Sequence, residues 1–313
     1  MRPDLAALLV AMWLIATPAT AADAGGKGAV ASGWCQTSLI GTPLGRPVHS
    51  AETARRLAQD IASAEATLKI TPDREESWFW LGRRLGYAGR ICEAVDIFSK
   101  GLLRFPESYK LRRYRARHLA RARQFEAALT DYRDALKLME GVPDSFEPDG
   151  LPNGIALTIG TYRTNLVYYA AQTSFATGDH RAVIDGMARA LSLSPAFARD
   201  DMRVPVAYWI YLAYRKMGED AKARAWIDTI EPDLKLIEND VYYQAVKIMQ
   251  GRLKPDDVAA SRDSTIKFAV AMERHFAGNE AGARALLTEI VRENPQGHWP
   301  SEVELAKPDR SPG

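Results

Sequence analysis

The stretch Lys110–Arg123 (KLRRYRARHLARAR) stands out chemically, because it holds seven Lys or Arg residues together with His118. Within it, Arg113, Arg117 and Arg121 follow one another at intervals of four residues, a spacing that places them on one face of a helix. Guanidinium groups bind carboxylates through paired hydrogen bonds, so this face favours recognition of an anionic group. A run of this kind also forms ordinary solvated helix surface, and the pattern leaves both interpretations open.

No residue pattern in the chain indicates catalysis. The five histidines form neither HxxxH nor HExxH. The sequence also lacks a GxSxG elbow, a P-loop and a GxGxxG turn. We therefore expect a protein that is not an enzyme and that uses neither a metal nor another cofactor.

Composition and charge set the remaining bounds. The 313 residues are 47% apolar and 26% charged, which is enough to build a substantial core. The formal net charge is only +2, so the total charge gives no reason to expect a nucleic acid partner.

The N-terminus resembles a targeting segment rather than part of the fold. The apolar run Leu5–Ala16 is too short to span a bilayer comfortably, and Ala19-Thr20-Ala21 fits the small-x-small cleavage pattern. We predict that residues 1–21 are a secretory signal, with an uncleaved N-terminal anchor as the alternative. Within residues 22–49, the first part is predicted to be disordered and the rest to form an irregular strap. The mature chain is expected in the periplasm, without an integral membrane segment.

A pattern of small, aromatic and small residues recurs at a spacing of 34 residues (128 minus 94). It reads Ala94, Phe98 and Gly101 in one copy, and Ala128, Tyr132 and Ala135 in the next. Counted from Glu75, the first copy fills every position of a helix-turn-helix template with Trp78, Leu81, Gly82, Leu85, Ala94, Phe98, Gly101 and Pro106. Weaker copies begin at Tyr109 and near Thr164, Val204 and Ser264. The chain thus resembles the tetratricopeptide repeat (TPR) family.

The resemblance covers about residues 50–300 and implies an all-α solenoid of about five helical hairpins, wound as a right-handed superhelix with a concave groove. A lone helix is expected over 50–72, a degenerate helical pair over 233–259, an inserted loop over 141–160 and a disordered tail over 301–313. Through the segment EPDGLPN the chain resembles secreted bacterial TPR proteins of unestablished function, and more distantly periplasmic TPR adaptors. Those adaptors are usually lipid-anchored, whereas this chain lacks the anchor cysteine.

The register of the resemblance also implies a set of groove residues. In this family, a few positions of the first helix of each hairpin line the groove. Here they hold Phe79, Arg83, Tyr87, Arg113, Arg117, Arg121, Asn165, Tyr168, Gln172 and Arg215. We expect a non-catalytic scaffold of the cell envelope that binds a protein or an extended, acidic peptide in this groove. The alternative is a binder of anionic glycan or lipid headgroups.

A competing interpretation assigns the arginines a structural role. The loop Gly141–Gly154 carries Asp144, Glu147 and Asp149, and it is too long for a tight turn between repeats. It could fold over the groove and neutralise the arginines within the chain.

The positions of the two cysteines indicate how the strap is attached to the first repeat. In an exported protein an even number of cysteines tends to pair. In the repeat register Cys92 falls at a variable, exposed position, and Cys35 lies in the strap next to Trp34. We predict a Cys35–Cys92 disulfide, with two free thiols as the alternative.

Overall fold

The computed structural model describes residues 37–148, 158–258 and 261–307. Within these ranges the chain forms α-helices and no strand, apart from two isolated antiparallel bridges, Thr37–Pro43 and Phe146–Thr161. The prediction of an all-α stack of helical hairpins is confirmed. No helix in the described part is both long and apolar enough to cross a membrane.

The helices are α1 (Ala51–Ile70), α2 (Glu75–Tyr87), α3 (Ile91–Arg104), α4 (Tyr109–Arg121), α5 (Phe125–Leu138), α6 (Tyr162–Ala176), α7 (His180–Leu193), α8 (Arg199–Lys216), α9 (Asp220–Ile227), α10 (Asp240–Met249), α11 (Ser264–Phe276), α12 (Glu280–Glu293) and α13 (Trp299–Leu305). Hairpins form from α2 and α3, α4 and α5, α6 and α7, α8 and α9, and α11 and α12. The first two hairpins begin at Glu75 and Tyr109, as the repeat predicts.

The first hairpin shows why the repeat uses small residues. A Cβ on Gly82 would lie 2.5 Å from the Phe98 ring, so α2 and α3 can approach only with glycine at this position. Gly89, in the turn between the helices, has a φ of +72°, the left-handed conformation that favours glycine at a helix C-terminus.

The segment 233–259 differs from the predicted helical pair. Its described residues, 233–258, hold only α10 and a short 3₁₀ helix, Pro255–Val258. The carboxylate of buried Asp201 accepts hydrogen bonds from the backbone N–H groups of Ile237, Glu238 and Asn239 at 2.5, 2.9 and 3.1 Å. These bonds hold the chain before α10 in an irregular conformation, so a second full helix does not form there.

The prediction of a disordered tail from residue 301 is wrong for residues 301–305, which belong to α13. His298 caps this helix, because its Nδ1 accepts from the Ser301 backbone N–H at 3.3 Å. Trp299 stacks on Trp209 of α8, with ring centroids 5.9 Å apart and planes 7° apart. Glu302 is fully buried and pairs with Arg123, which lies between α4 and α5. Stacking of the tryptophan and burial of the ion pair therefore order this segment.

The described part of the strap, residues 37–49, touches distant parts of the chain. The Leu39 N–H donates to Glu302 Oε2 at 3.0 Å, and the Gly45 N–H donates to the Pro295 carbonyl at 2.5 Å. Pro47 packs against the turn at Gly89. The strap thus connects the C-terminal helices to the first hairpin.

Candidate functional site

The first helices of successive hairpins lie side by side and line a pocket of about 610 Å³, which we call the groove pocket. Six of the ten predicted groove residues border it: Arg83, Tyr87, Arg117, Asn165, Tyr168 and Gln172. The helix α10 adds Tyr242, and the chain just before that helix adds Glu238 and Asn239. The structure therefore brings six of the ten predicted groove residues together around one pocket.

Arg117 is the exposed cation of the groove pocket. Its guanidinium lies 4.9 Å from the centre of the Tyr169 ring, a cation–π contact that holds the side chain in place. Tyr169 also raises the pKa of Arg117. Among the described residues, no carboxylate lies within ion-pair distance of this guanidinium. Arg117 can therefore pair with an anionic ligand.

Arg113 was predicted on the same face, but the structure shows it fully buried. Its Nε donates to Glu147 Oε1 at 2.8 Å and its Nη2 to Oε2 at 3.2 Å, while the Tyr114 hydroxyl donates to Oε2 at 2.9 Å. Burial disfavours the charge of Arg113, but the Glu147 carboxylate together with the neighbouring tyrosines outweighs this effect, and the arginine pKa is raised. The prediction that Arg113 binds a ligand is wrong, because the inserted loop neutralises it.

The other acidic residues of the loop do not share this role. Asp144 accepts hydrogen bonds from the backbone N–H groups of Ser145 and Arg163, at 2.9 and 3.1 Å. Asp149 lies outside the described residues. The competing interpretation, in which the loop neutralises the arginines, is therefore correct for the pair Glu147 and Arg113 and does not extend to Arg117 among the described residues.

Arg83 borders the groove pocket, although its guanidinium is already engaged. It donates to the Pro148 carbonyl at 2.5 Å and to the Tyr87 hydroxyl at 2.8 Å, and it lies 4.6 Å from the Tyr114 ring centre. Phe79 is buried beneath it, edge-on to Tyr114 at 5.2 Å. The prediction that Phe79 faces a ligand is wrong, because the ring packs in the core and supports Arg83.

Arg121 lies one helical turn beyond Arg117 and borders a second pocket of about 430 Å³, which we call the strap pocket. Its Nη1 donates to the Gly86 carbonyl at 3.0 Å. No described carboxylate lies within ion-pair distance of Arg121. Burial, together with the charges of Arg117 and Arg123, lowers the pKa of Arg121 to about 10. The charge of this guanidinium is therefore largely uncompensated.

Arg215 does not reach either pocket. It lies 2.9 Å from an Asp220 carboxylate oxygen, donates to the Tyr211 hydroxyl at 2.7 Å and packs over the Phe276 ring at 4.2 Å. The prediction of Arg215 as a groove residue is wrong, because Asp220 of α9 and Phe276 of α11 hold its side chain at the end of α8.

Several residues that border the pockets were missed from the sequence. Tyr169 follows a predicted groove position and was therefore passed over. Tyr242 borders both pockets but belongs to α10, a helix outside any recognisable repeat. Trp209 lies in the middle of α8, where it looks like an ordinary core residue. For Tyr169 the available signal was its position next to Tyr168, whereas the repeat pattern gave no signal for Tyr242.

Cys92 lies in the first turn of α3, where it borders the strap pocket together with residues 44–46 of the strap. Cys35 lies outside the described residues. The Cys35–Cys92 disulfide therefore stays a prediction, and the proximity of the strap to Cys92 supports it.

Comparison with solved structures finds helical-repeat proteins. The chain is similar to YrrB, a TPR protein described as having an unusual peptide-binding site, with 10% identity, 77% of this chain and 96% of that chain covered, and a TM-score of 0.40. It is also similar to a Podosopora anserina protein described as a kinesin light chain with nearly identical TPR-like repeats (15% identity, 71% and 95% covered, TM-score 0.43). A third similar structure is the APC/C hetero-tetramer Cut9-Hcn1 (13% identity, 81% and 46% covered, TM-score 0.34). A scan against protein-family models gives no match, and neither does a search of curated proteins.

Proposed function

We propose that this protein is an exported, non-catalytic scaffold that binds an acidic, extended segment of a partner protein in the groove pocket. The observation that carries the proposal is Arg117: it is exposed inside the groove, it is held by Tyr169, and no described carboxylate neutralises it. Arginine at such a position contributes nothing to the core, so its charge is available to a ligand.

The neighbours of Arg117 favour a peptide. The side-chain amides of Asn165 and Gln172 border the same pocket, and neither makes a hydrogen bond to another described residue. Amides of this kind can bond both the N–H and the C=O of an extended backbone. Tyr87 and Tyr168 add aromatic surface for apolar contact. A surface that binds only anionic headgroups would need several cations, whereas this pocket offers one exposed arginine.

The proposed location in the periplasm rests on the signal-like N-terminus. N-terminal sequencing of the exported protein should give a chain that begins near Ala22. An intact Met1 on a membrane-bound product would contradict this part of the proposal and leave the groove unaffected.

Binding can be tested with an array of extended peptides that differ in their content of Asp and Glu. We expect acidic peptides to bind. Arg117→Glu should weaken their affinity about five-fold or more, because the change removes one attraction and adds a repulsion. Arg104→Glu is the matched control, since it makes the same charge change on an exposed residue of α3, the second helix of its hairpin. Equal binding by both variants would exclude the groove pocket. Binding to anionic vesicles but not to peptides would favour headgroup recognition instead.

A further inference from the structure

The strap pocket is separate from the groove pocket, although Gln172 and Tyr242 border both. It is lined by residues 44–46 of the strap, by residues 294 and 296–300, and by Arg121, Trp209 and Tyr242. Its volume of about 430 Å³ is at the small end of the range for small-molecule sites, roughly 300–1,000 Å³.

Among the described residues, the strap pocket has one half-buried cation without an anionic partner. Arg123 is paired with Glu302, and Arg90 with Glu93. The hydrogen bond from Arg90 lowers the pKa of Glu93, and exposed Arg46 lies near enough to add to this effect. Arg121 remains, half-buried and bonded only to a carbonyl and weakly to His118 among the described residues. A single planar guanidinium suits a carboxylate, whereas a phosphate usually needs several cations.

The apolar wall of the pocket is aromatic. Trp209 and Trp299 stack nearly in parallel, and Tyr208 meets Trp209 edge-on with ring centroids 5.2 Å apart. Trp209 is 2% exposed, and its Nε1–H lies beside the hydroxyls of Tyr168 and Tyr242, so the buried indole presents an apolar ring to the pocket.

From these features we infer that the strap pocket is a second binding site, which takes a small aromatic carboxylic acid. The carboxylate pairs with Arg121, and the flat ring lies against Tyr208, Trp209 and Trp299. A free aromatic acid and the C-terminal aromatic residue of a peptide both supply this chemistry. The site is distinct from the one that binds the acidic segment, because Arg117 borders only the groove pocket.

The test compares phenylacetate, phenylacetamide and acetate as ligands of the full chain by isothermal titration calorimetry. Phenylacetate should bind at least ten-fold more tightly than the neutral amide, which has the same shape, and than acetate, which lacks the ring. Equal binding of phenylacetate and phenylacetamide, or no binding of phenylacetate at millimolar concentration, would overturn the inference. This comparison needs no variant, so it does not depend on the folding of a mutant.

Two variants on the same helix then locate the site. Arg121→Gln should weaken the affinity for phenylacetate about ten-fold, whereas Arg117→Gln should change this affinity by less than about three-fold. The reverse ranking would place the acid in the groove pocket and refute the inference. A pentapeptide that ends in Phe separates the two sources: binding as tight as that of phenylacetate assigns the site to peptide ends, and no binding assigns it to free acids. Acidic-peptide binding that depends on Arg117 fails or survives independently of these results.

Discussion

Replacing Glu147 with alanine would leave Arg113 charged, buried and without an anionic partner among the described residues. The guanidinium is 0% exposed, so water cannot easily take the place of the two bonds from Arg113 to the carboxylate. The Tyr114 hydroxyl would lose its acceptor at the same time. The change therefore tests whether the inserted loop is a structural part of the solenoid.

The size of the effect follows from burial. Removing one partner of a buried ion pair costs about 3–5 kcal/mol of the free energy of unfolding, because the other charge stays in a poorly solvating environment. Replacing both partners with apolar residues of similar size is often neutral. Arg113→Met combined with Glu147→Leu should therefore be more stable than either single substitution.

The assay is urea unfolding followed by circular dichroism. Asp96→Ala is the control, because Asp96 pairs with Lys100 at 2.7 Å on the surface, where the two side chains are 57% and 56% exposed. An exposed pair of this kind contributes at most about 1 kcal/mol. If Glu147→Ala costs no more than Asp96→Ala, or if the double variant is as unstable as the sum of the single ones, the buried-pair reasoning is refuted.

Three further predictions concern pH, salt and the strap. Burial, with Arg123 nearby, lowers the pKa of His298 to about 3, so between about pH 6.5 and 3 the unfolded chain binds a proton that the folded chain does not. The free energy of unfolding should thus fall as the pH drops through this window, and His298→Asn, which keeps an acceptor at the cap of α13, should lose less; identical pH profiles would contradict this. Acidic-peptide binding through Arg117 should weaken as salt rises from 50 to 300 mM, and a salt-independent affinity would argue against charge pairing. Non-reducing peptide mapping should find Cys35 linked to Cys92, and two alkylatable thiols in protein taken directly from the envelope would rule the bond out.

The hairpins could be predicted because their signals are local. Gly82 and Phe98 belong to adjacent helices of one repeat and lie in contact. A left-handed glycine such as Gly89 marks the turn between the helices. Such features depend on a few neighbouring residues, so the sequence alone was enough to locate them.

Which of the arginines are neutralised by a carboxylate could not be predicted in the same way. Helical spacing places Arg113, Arg117 and Arg121 on one face, but a distant carboxylate decides which of them is neutralised. Three acidic residues of the loop were candidates, and only the folded chain selects Glu147. The same limit applies to Arg123, whose partner Glu302 lies at the other end of the chain.

The distribution of carboxylates therefore defines the chemistry of the two pockets. Glu147 neutralises Arg113 beside the groove pocket, and Glu302 neutralises Arg123 in the strap pocket. Arg117 in the groove pocket and Arg121 in the strap pocket have no described anionic partner. Because Gln172 and Tyr242 border both pockets, a ligand in one can alter the other through these two side chains. If the two sites are coupled in this way, phenylacetate should change the affinity for an acidic peptide, and the peptide should change the affinity for phenylacetate by the same factor. Gln172→Ala should then reduce the coupling, and affinities that are independent in the unaltered chain would show that the two pockets act separately.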